Sequence, residues 1–411
     1  EISLTMFLLE EEPCWLFWQG ANFQVLNLWD MKQIKNLKKA ANRILAAAKS
    51  KERIILYGDA DLDGATSVII LKEALMSLGK ETAEIYFPDR EKEGYGFTEK
   101  ALKRLKKHAP ALVVILDCGI SNFEEIKKAK DLGFEVIVVD HHEPLDKLPE
   151  ASIIVDPKQE KDEHPFKYYA NVGLALELAK VMLGDRLTSN LERSFLELAA
   201  LATIADMVPR VDKNEEIISR GLKTVEYSWR PGLQALFSLK PFEDLPLGMK
   251  IDKINSIMNV RCGRDGIPDS YKILVCPDLE KAKKMARKLY KKSLERKEQV
   301  ANIVEEVKER SFGKSTDPIV FEGSSEWELI LVGVAAGRLV KDMEKPVFLY
   351  QETNDQIQGS IRAPSGFNVV EAMKTCSSHL LTYGGHPQAA GFRTEKEKAG
   401  DFKKCLFEYF G

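Results

Sequence analysis

The sequence predicts an α/β protein in which a parallel-sheet domain with a helical extension is joined by a long helix to a smaller α/β C-terminal domain. Three observations support this fold class. Short apolar, β-branched runs alternate with helical stretches early in the chain, which is typical of a parallel sheet. A mainly helical apolar region follows, and a long charged helical stretch then precedes a second set of short apolar runs. We therefore divide the chain into an atypical extension (1–30), the parallel-sheet domain (31–276), a connecting helix and linker (277–315) and the C-terminal domain (316–411).

Residues 1–30 differ from the rest of the chain. They hold three of the five tryptophans (Trp15, Trp18 and Trp29) without a clear hydrophobic period, whereas an amphipathic helical pattern begins at Met31. One interpretation is that Met31 is the true start and the preceding segment is upstream translation. The alternative is an apolar extension that packs on the protein or binds a partner. We favour the first.

The parallel-sheet domain is predicted from five apolar runs with helical stretches between most of them. The predicted strands are Ile54–Tyr57, Ala83–Phe87, Leu112–Leu116, Val136–Val139 and Ile153–Val155. The intervening helices are Ser67–Leu78, Thr98–Lys107 and Phe123–Leu132, which we expect on both faces of the sheet. The helical extension begins with the apolar stretch Asn171–Thr203 and continues over residues 215–270.

The connecting helix is predicted from Pro277 to about Arg310. Between Lys281 and Lys297 it carries nine Lys or Arg residues against a single acid, Glu295. A solvated face is the usual reason for such a run, and a wall that tracks phosphates is the alternative. In the C-terminal domain we predict helices at Ala335–Met343 and Phe367–Cys376, and strands at Pro318–Phe321, Glu328–Val332, Pro346–Tyr350 and Gln356–Ile361.

Composition bounds the function. A chain of 411 residues with 44% hydrophobic and 30% charged residues is typical of a globular protein with two or three domains. Its net charge of -3 gives no global basic field, so contacts with a polyanion must come from local patches. No apolar run approaches the roughly 18 residues of a membrane span, and no signal peptide is evident. Six scattered cysteines without a C-x-x-C pair predict a reducing, cytoplasmic setting with neither a zinc site nor a disulfide framework.

One acidic run carries the strongest chemical signal. Asp59, Asp61 and Asp63 alternate with Ala60 and Leu62 directly after a predicted buried strand. Ligands bind at the carboxyl ends of strands in open α/β sheets, and a divalent cation would remove the repulsion among three carboxylates. The competing interpretation is an acidic turn that caps the next helix.

Similar placements recur along the chain. Asp117, the triplet Asp140-His141-His142 and Asp206 each follow an apolar run, so we expect the acids at strand ends to converge on one edge of the sheet. Mixed carboxylate and imidazole ligands favour Mn²⁺ or Mg²⁺, and their number favours two ions. The implied reaction is hydrolysis of a phosphoester by a metal-held hydroxide.

These motifs resemble those of the DHH phosphoesterases. The resemblance rests on the run from Asp59 to Gly64, Asp117-Cys118-Gly119, Asp140-His141-His142 and Asp206, together with Gly384-Gly385-His386 in the C-terminal domain. It implies a DHH catalytic domain followed by a DHH-associated, substrate-binding domain, as in the RecJ-like nucleases. By this resemblance the catalytic residues are Asp140, His141 and His142, and the metal ligands are Asp59, Asp61, Asp63, Asp117, Asp140, His141 and Asp206. The sequence leaves open whether His142 ligates a metal or donates to a phosphate.

Substrate contacts are expected from the C-terminal domain. Gly384 and Gly385 allow backbone N–H groups to approach a ligand, His386 can donate to a phosphate, and Arg362 can bind one bidentately. Taken without the family, the same run is also compatible with a glycine turn and a structural histidine. Ser360 and Arg264 join this set through the resemblance.

The chain departs from the RecJ pattern in three places. Many RecJ proteins have His where this chain has Tyr57, which we expect to fill that space without ligating and so to loosen one metal. The segment Asn259–Arg264 differs from the usual RecJ sequence. The chain also ends soon after the Gly-Gly-His run, so the resemblance predicts a core-only form without the OB-fold.

The favoured function is metal-dependent exonuclease activity on single-stranded DNA, with RNA as a further substrate, in DNA repair or recombination. The first alternative is a phosphodiesterase for small substrates such as short oligoribonucleotides, nucleoside bisphosphates or cyclic dinucleotides. The second is a replication-associated scaffold. Single-stranded nucleic acid is the expected partner, replication or repair proteins are further candidates, and no membrane contact is expected.

Overall fold

The computed structural model describes residues 33–90, 92–145, 147–259, 266–312 and 316–411, with the backbone alone at His386. The extension at 1–30 lies outside the described residues. Two five-stranded sheets form the centres of two domains, and one long helix connects them. The predicted fold class is therefore confirmed.

The first sheet is entirely parallel, with strand order β2-β1-β3-β4-β5. All five predicted strands are confirmed. Their bounds are β1 Ile54–Gly58, β2 Glu84–Tyr86, β3 Ala111–Leu116, β4 Phe134–Val139 and β5 Ile153–Val155. In this strand order the direction of winding reverses between β1 and β3, and ligands bind beside such a switch point in open α/β sheets.

Helices cover both faces of this sheet. The helices of the sheet domain and its extension are α1 Leu37–Lys49, α2 Leu62–Ser77, α3 Glu99–Leu105, α4 Phe123–Asp131, α5 Asn171–Leu183, α6 Ser189–Ala205, α7 Asp212–Leu222, α8 Pro231–Phe237, α9 Leu247–Met258 and α10 Asp269–Leu274. The larger core lies on the side of α1, α2, α5 and the extension, and the smaller core lies on the side of α3 and α4. Because α2 is buried almost all round, it shows no strong helical period, and our prediction placed its start five residues late, at Ser67.

The connecting helix α11 (Leu279–Ser311) belongs to both domains. Asp278 caps its first turn by accepting a hydrogen bond from the Lys281 backbone N–H (2.7 Å). Its first buried stripe (Ala282, Ala286 and Leu289) packs into the core of the sheet domain, and its second (Val300, Ile303, Val304 and Val307) packs into the core of the C-terminal domain. At 33 residues it is about 50 Å long.

The C-terminal domain has a mixed sheet with strand order β6-β7-β8-β10-β9. Only β6 and β7 are parallel within it. Helix α12 packs against one face, and α13 and α14 share a core with the other face. The bounds are β6 Val320–Ser324, α12 Leu329–Met343, β7 Val347–Glu352, β8 Gln356–Arg362, α13 Val369–Thr375, β9 Thr382–His386, β10 Ala389–Glu395 and α14 Ala399–Phe410.

Two predictions and one alternative interpretation for this domain need correction. The run Glu328–Val332 is not a strand: its apolar residues form the first turns of α12, where Leu331 and Val332 are buried against α11. The Gly-Gly-His run is not a glycine turn, because it lies in strand β9. The expectation of no disulfide is wrong, because α13 and α14 bring Cys376 and Cys405, which lie 29 residues apart in the sequence, into a disulfide.

Within the described residues, no helix combines the length and the apolar character needed to span a membrane.

Candidate metal centre

Three aspartates extend the strands of the parallel sheet by one residue. The backbone N–H of Asp59 bonds to Leu116 O (3.2 Å), that of Asp117 to Val139 O (3.0 Å), and that of Asp140 to Val155 O (3.0 Å). Each residue therefore sits at the carboxyl end of its strand and in register with its neighbours. This placement brings acids from β1, β3 and β4 to one edge, as the sequence predicted, beside the switch point between β1 and β3.

His141 lies at the centre of the first group of potential ligands. Its Nε2 is 3.3 Å from Asp117 Oδ1, 3.8 Å from Asp206 Oδ2 and 3.9 Å from Asp63 Oδ2. Its Nδ1 lies 2.9 Å from the Tyr169 carbonyl oxygen, which can only accept a hydrogen bond. The proton therefore sits on Nδ1, and the Nε2 lone pair faces the three carboxylates.

These atoms have no donor to satisfy them. Asp117 Oδ1, His141 Nε2 and Asp206 Oδ2 are buried and lack a hydrogen-bond partner among the described residues. Burial and the charge of Asp63 raise the pKa of Asp117, and burial and the charge of Asp61 raise the pKa of Asp206 to about 7. Burial lowers the pKa of His141 to about 4, so its imidazole is neutral. A set of buried acceptors that face one another is suited to a cation.

Asp63 is held rigidly by the helix behind it. Its Oδ2 accepts a hydrogen bond from the Asn171 backbone N–H (2.7 Å) and its Oδ1 accepts one from the Val172 N–H (2.7 Å), at the start of α5. The positive end of the helix dipole stabilises the carboxylate there. Burial and the charges of Asp206 and Asp61 nevertheless raise its pKa. Asp63 is thus fixed in direction and needs a further positive charge.

A second group is formed by Asp59, Asp61 and Asp117, which offer oxygens within 4.8 Å of one another. Asp117 also joins a third group with His141 and His142, so it lies between two potential ion positions. Asp61 additionally caps α2, because its Oδ1 accepts from the Gly64 N–H (3.0 Å). Asp61 therefore fits both interpretations of the acidic run: it caps the next helix, and it is placed to ligate a metal.

Arg90 neutralises the second group. Its Nε donates to Asp59 Oδ1 (2.9 Å) and one terminal nitrogen donates to Asp61 Oδ2 (3.0 Å), while the guanidinium lies 5.5 Å from the centre of the Tyr95 ring. Sequence analysis missed both Arg90 and Tyr95. The available signal was their position in the loop that follows β2, whose carboxyl end lies at the same edge of the sheet.

Asp140 and His142 play a different part. Asp140 Oδ1 accepts from the backbone N–H groups of His141 (2.8 Å) and His142 (3.2 Å) and lies 2.7 Å from His142 Nδ1, while Oδ2 accepts from the Ile120 N–H (3.0 Å). Despite burial, the contact with His142 lowers the pKa of Asp140; the same contact raises the pKa of His142 against the effect of burial. Asp140 lies outside the three ligand groups, and its role as a ligand stays a prediction. Its hydrogen bonds position both histidines.

Tyr57 does not enter the site, which corrects the expectation that it fills ligand space. Its side chain is fully buried in the smaller core, on the side of α3 and α4. There its hydroxyl donates to Gly96 O (2.7 Å) and its ring stacks on Tyr86 with centroids 5.4 Å apart.

A cavity of about 540 Å³ separates the metal centre from the C-terminal domain. Asp61, Arg90 and Asp206 line one wall, and Arg362 lines the other. Arg296 of α11 closes one side, where its guanidinium donates to Asn259 O (2.7 Å). Burial lowers the pKa of both Arg362 and Arg296. The guanidinium groups of Arg362 and Arg296, which line the cavity opposite the carboxylates and at its side, are therefore partly desolvated.

The other predicted substrate residues are placed as follows. Ser360 lies two residues before Arg362 on β8, and both pack beside Gly333 of α12, where an added Cβ would lie 3.1 Å from Ser360 Oγ. Gly384 and Gly385 lie on β9, as does the backbone of His386. Arg264 lies outside the described residues. In the basic run on α11, Arg296 reaches the cavity. Three other residues of the run pair with neighbouring acids instead: Lys283, Lys291 and Lys292.

Comparison with known proteins agrees with this architecture. The family model described as "DHH family, N-terminal domain" matches residues 53–203, and the DHHA1 domain model matches residues 316–411. The single-stranded-DNA-specific exonuclease RecJ of Bacillus subtilis is 33% identical over 93% of this chain and 48% of its own length. That of Salmonella typhimurium is 29% identical over 92% and 69%. The chain thus spans about half the length of the Bacillus relative.

Solved structures give the same result. A crystal structure of exonuclease RecJ bound to manganese matches with a TM-score of 0.79 and 26% identity, over 92% of this chain and 94% of that one. RecJ from Thermus thermophilus in complex with Mn²⁺ has the same fold, with a TM-score of 0.79 and 24% identity over 92% of this chain and 55% of that one.

Proposed function

We propose that this chain, whose residues 53–203 match the DHH family model and whose residues 316–411 match the DHHA1 model, is a metal-dependent exonuclease that hydrolyses phosphodiester bonds in single-stranded DNA. The observation that carries this proposal is the set of unpaired acceptors at Asp117, His141 and Asp206, of which Asp206 lines the same cavity as Arg362. Such a set suits cations on one side of a phosphate and a guanidinium on the other.

The ligand groups divide between two ions. Asp63, His141 and Asp206 would hold one Mn²⁺ or Mg²⁺, Asp59 and Asp61 would hold the other, and Asp117 would lie between them. When bound, the two ions lower the pKa of a water and neutralise phosphoryl oxygens. Arg90 would leave the second group when that ion binds, because the carboxylates it bonds are then occupied.

The remaining residues orient the substrate. Asp140 Oδ1 holds His142 at Nδ1 (2.7 Å), and the Tyr95 hydroxyl lies at the edge of the same ring, 3.3 Å from Nδ1 and 3.2 Å from Nε2. From there His142 would donate a hydrogen bond to a phosphate oxygen. Arg362 would bind a phosphate from the opposite wall, with His386 beside it on the same sheet.

The relatives that share both domains are single-stranded-DNA-specific exonucleases, so DNA repair or recombination in the cytoplasm is the setting we propose. A scaffold role fits less well, because acceptor atoms of Asp117, His141 and Asp206 remain together in a buried, unpaired arrangement that costs stability without a ligand. A small-substrate phosphodiesterase would use the same metal centre, and product length separates the two activities.

The test is digestion of single strands of DNA and RNA, labelled at either end, with Mn²⁺ and with EDTA. We expect Mn²⁺-dependent release of short products from DNA, with loss of activity in EDTA and in Asp206→Asn. Asp131→Asn, which removes an exposed acid at the end of α4, is the matched control and should be fully active. Unchanged cleavage by Asp206→Asn, or equal cleavage in EDTA, would show that the assigned site is wrong. Activity confined to dinucleotides would favour the small-substrate alternative.

A further inference from the structure

One face of the C-terminal sheet is only partly covered. On the opposite face, Ile357, Ile361, Ala390 and Phe392 alternate with outward residues and are buried in the core shared with α13 and α14. On the near face, α12 packs against β7 and β8. Beyond it, β10 and β9 carry exposed or half-exposed residues. An accessible strip of sheet therefore begins at Arg362, which also lines the metal cavity.

Strand register orders this strip in three rows. The first row contains Arg362 and Ala389, paired with the backbone of His386; the second contains Ser360, Gly391 and Gly384; the third contains Gln358, Arg393 and Thr382. Rows are two residues apart along the strands, which is about 7 Å, so the first and third rows lie about 14 Å apart. The strip thus runs away from the metal centre at regular intervals.

The second row carries almost no side chains, and the fold does not require its glycines. An added Cβ at Gly384 would meet no atom within 4 Å, and one at Gly391 would meet only Gly359 O, at 3.6 Å. Gly385 contrasts with them, because its φ of +139° and a contact of 2.5 Å to Ala389 O would strain any other residue. Since glycine weakens a strand, a pair of unrequired glycines marks a place where a ligand approaches the backbone closely.

The third row supplies a cation. Arg393 is exposed, and one terminal nitrogen donates to Gln358 Oε1 (3.1 Å), which orients the guanidinium along the row. It forms no ion pair with a carboxylate of the described residues. Thr382, Gly384 and Arg393 line one cavity of about 370 Å³. This combination of an oriented guanidinium, an amide and a hydroxyl suits a phosphate.

We propose that the three rows form a track for the sugar-phosphate backbone of a single strand, and that Arg393, Gln358 and Thr382 form a phosphate subsite remote from the metal centre. The glycine row lets the strand lie flat on the sheet between two guanidinium groups. The distance between the first and third rows corresponds to two nucleotide steps of an extended strand, so Arg393 contacts the second phosphate beyond the one held at Arg362. Sequence-independent grooves for single strands use cations in this way.

This subsite deepens the proposed exonuclease function, and its test does not depend on cleavage. Binding of fluorescein-labelled octathymidylate and dithymidylate is measured by anisotropy in EDTA, for the wild-type protein and for Arg393→Ala. We expect Arg393→Ala to weaken octamer binding about tenfold, because one charge-assisted contact is lost. The slope of log K against log salt should fall by about 0.7. Binding of the dimer, which is too short to reach the third row, should not change.

Two further variants complete the design. Arg393→Lys should recover part of the octamer affinity, and Gly384→Val, whose Cβ would meet no atom within 4 Å, should lower it. Arg186→Ala, which removes an exposed arginine from the sheet domain, is the charge-matched control and should bind both oligomers normally. Octamer binding by Arg393→Ala equal to wild type would overturn the subsite, as would equal weakening of both oligomers or failure of the wild-type protein to bind the octamer. Normal binding results with no cleavage in Mn²⁺ would instead overturn the proposed function alone.

Discussion

Two buried charged clusters of this protein differ in how their polar atoms are paired. In the first, Arg230 is 2% exposed and donates to both oxygens of Glu73 (2.9 and 2.6 Å) and to Ser194 Oγ (2.8 Å). In the second, Asp117 and His141 present acceptors to one another without a donor. The Arg230 cluster is complete within the chain and ties the helical extension to α2. In the metal centre the described part of the chain supplies acceptors but no donor for them, which indicates that a bound cation completes the site.

The comparison also separates stability from function. A charge that is paired inside the fold destabilises the protein when its partner is removed, because the remaining charge is buried alone. A charge that faces other like charges should behave in the opposite way when it is neutralised. Three predictions test this difference between paired and unpaired buried charges.

The largest effect is expected at Arg230. Arg230→Met should lower the free energy of unfolding by about 3–5 kcal/mol, because Glu73 loses its partner in a largely buried position. Chemical denaturation measures the change. The control is Arg220→Met, which breaks an exposed pair with Glu192 (2.8 Å) and should cost less than about 1 kcal/mol. If Arg230→Met and Arg220→Met lowered the free energy of unfolding equally, the Arg230 cluster could not be a buried, fully paired cluster.

The next effect is expected at Asp117. Asp117→Asn should lower exonuclease activity by about 10²- to 10³-fold, which is the typical loss for one electrostatic group of an active site. In EDTA the same variant should unfold at a higher temperature than the wild-type protein, because a buried carboxylate that faces Asp63 becomes neutral. The backbone should tolerate the change, since Asp117 has a φ of 64° and asparagine adopts this region readily. A lower unfolding temperature would contradict the comparison.

The smallest effect concerns pH. The pKa of Asp206 is raised from its ordinary value to about 7, so in EDTA the folded state binds an additional proton there between about pH 4 and 7. The stability that this group contributes is therefore present at low pH and is lost as the pH rises through 7. The gain in stability of Asp206→Asn over wild type should accordingly grow by roughly 2–3 kcal/mol between pH 5 and pH 8.

The matched measurement for Asp206 is the difference between the two proteins at each pH in EDTA. His141, whose pKa is lowered to about 4, acts in the opposite direction between about pH 4 and 6.5, but it is present in both proteins and largely cancels. A stability difference that is independent of pH would mean that the carboxyl is not held at a raised pKa.

The sequence predicted the edge of the metal centre better than its surroundings. Asp59 and Asp117 could be placed because each follows a continuous apolar run, and parallel strands end at a common edge. The same rule could not show that the Asp140 carboxylate accepts hydrogen bonds from the backbone N–H groups of Ile120, His141 and His142. It also could not place Arg90, because a loop conformation determines which side chain returns to the carboxylates.

The C-terminal domain was harder to predict for local reasons. The run Leu329–Val332 is apolar and short, so its periodicity fits a buried strand and a buried helix start equally well. Strand β9 contains two glycines, and its order depends on pairing with β10, which local sequence does not reveal. The disulfide between Cys376 and Cys405 likewise depends on how α13 and α14 pack.

The connecting helix α11 acts as a fixed-length strut. Its two buried stripes end at Leu289 and begin again at Val300, and none of the residues between these two is buried. Each end thus packs into a different core, while the middle carries no buried side chain and places Arg296 at the cavity. The rise of this helix therefore determines how far the phosphate track stands from the carboxylates. In the proposed nuclease, the distance between the phosphate subsite and the metal centre is therefore set by the length of α11 and does not depend on the base sequence of the substrate.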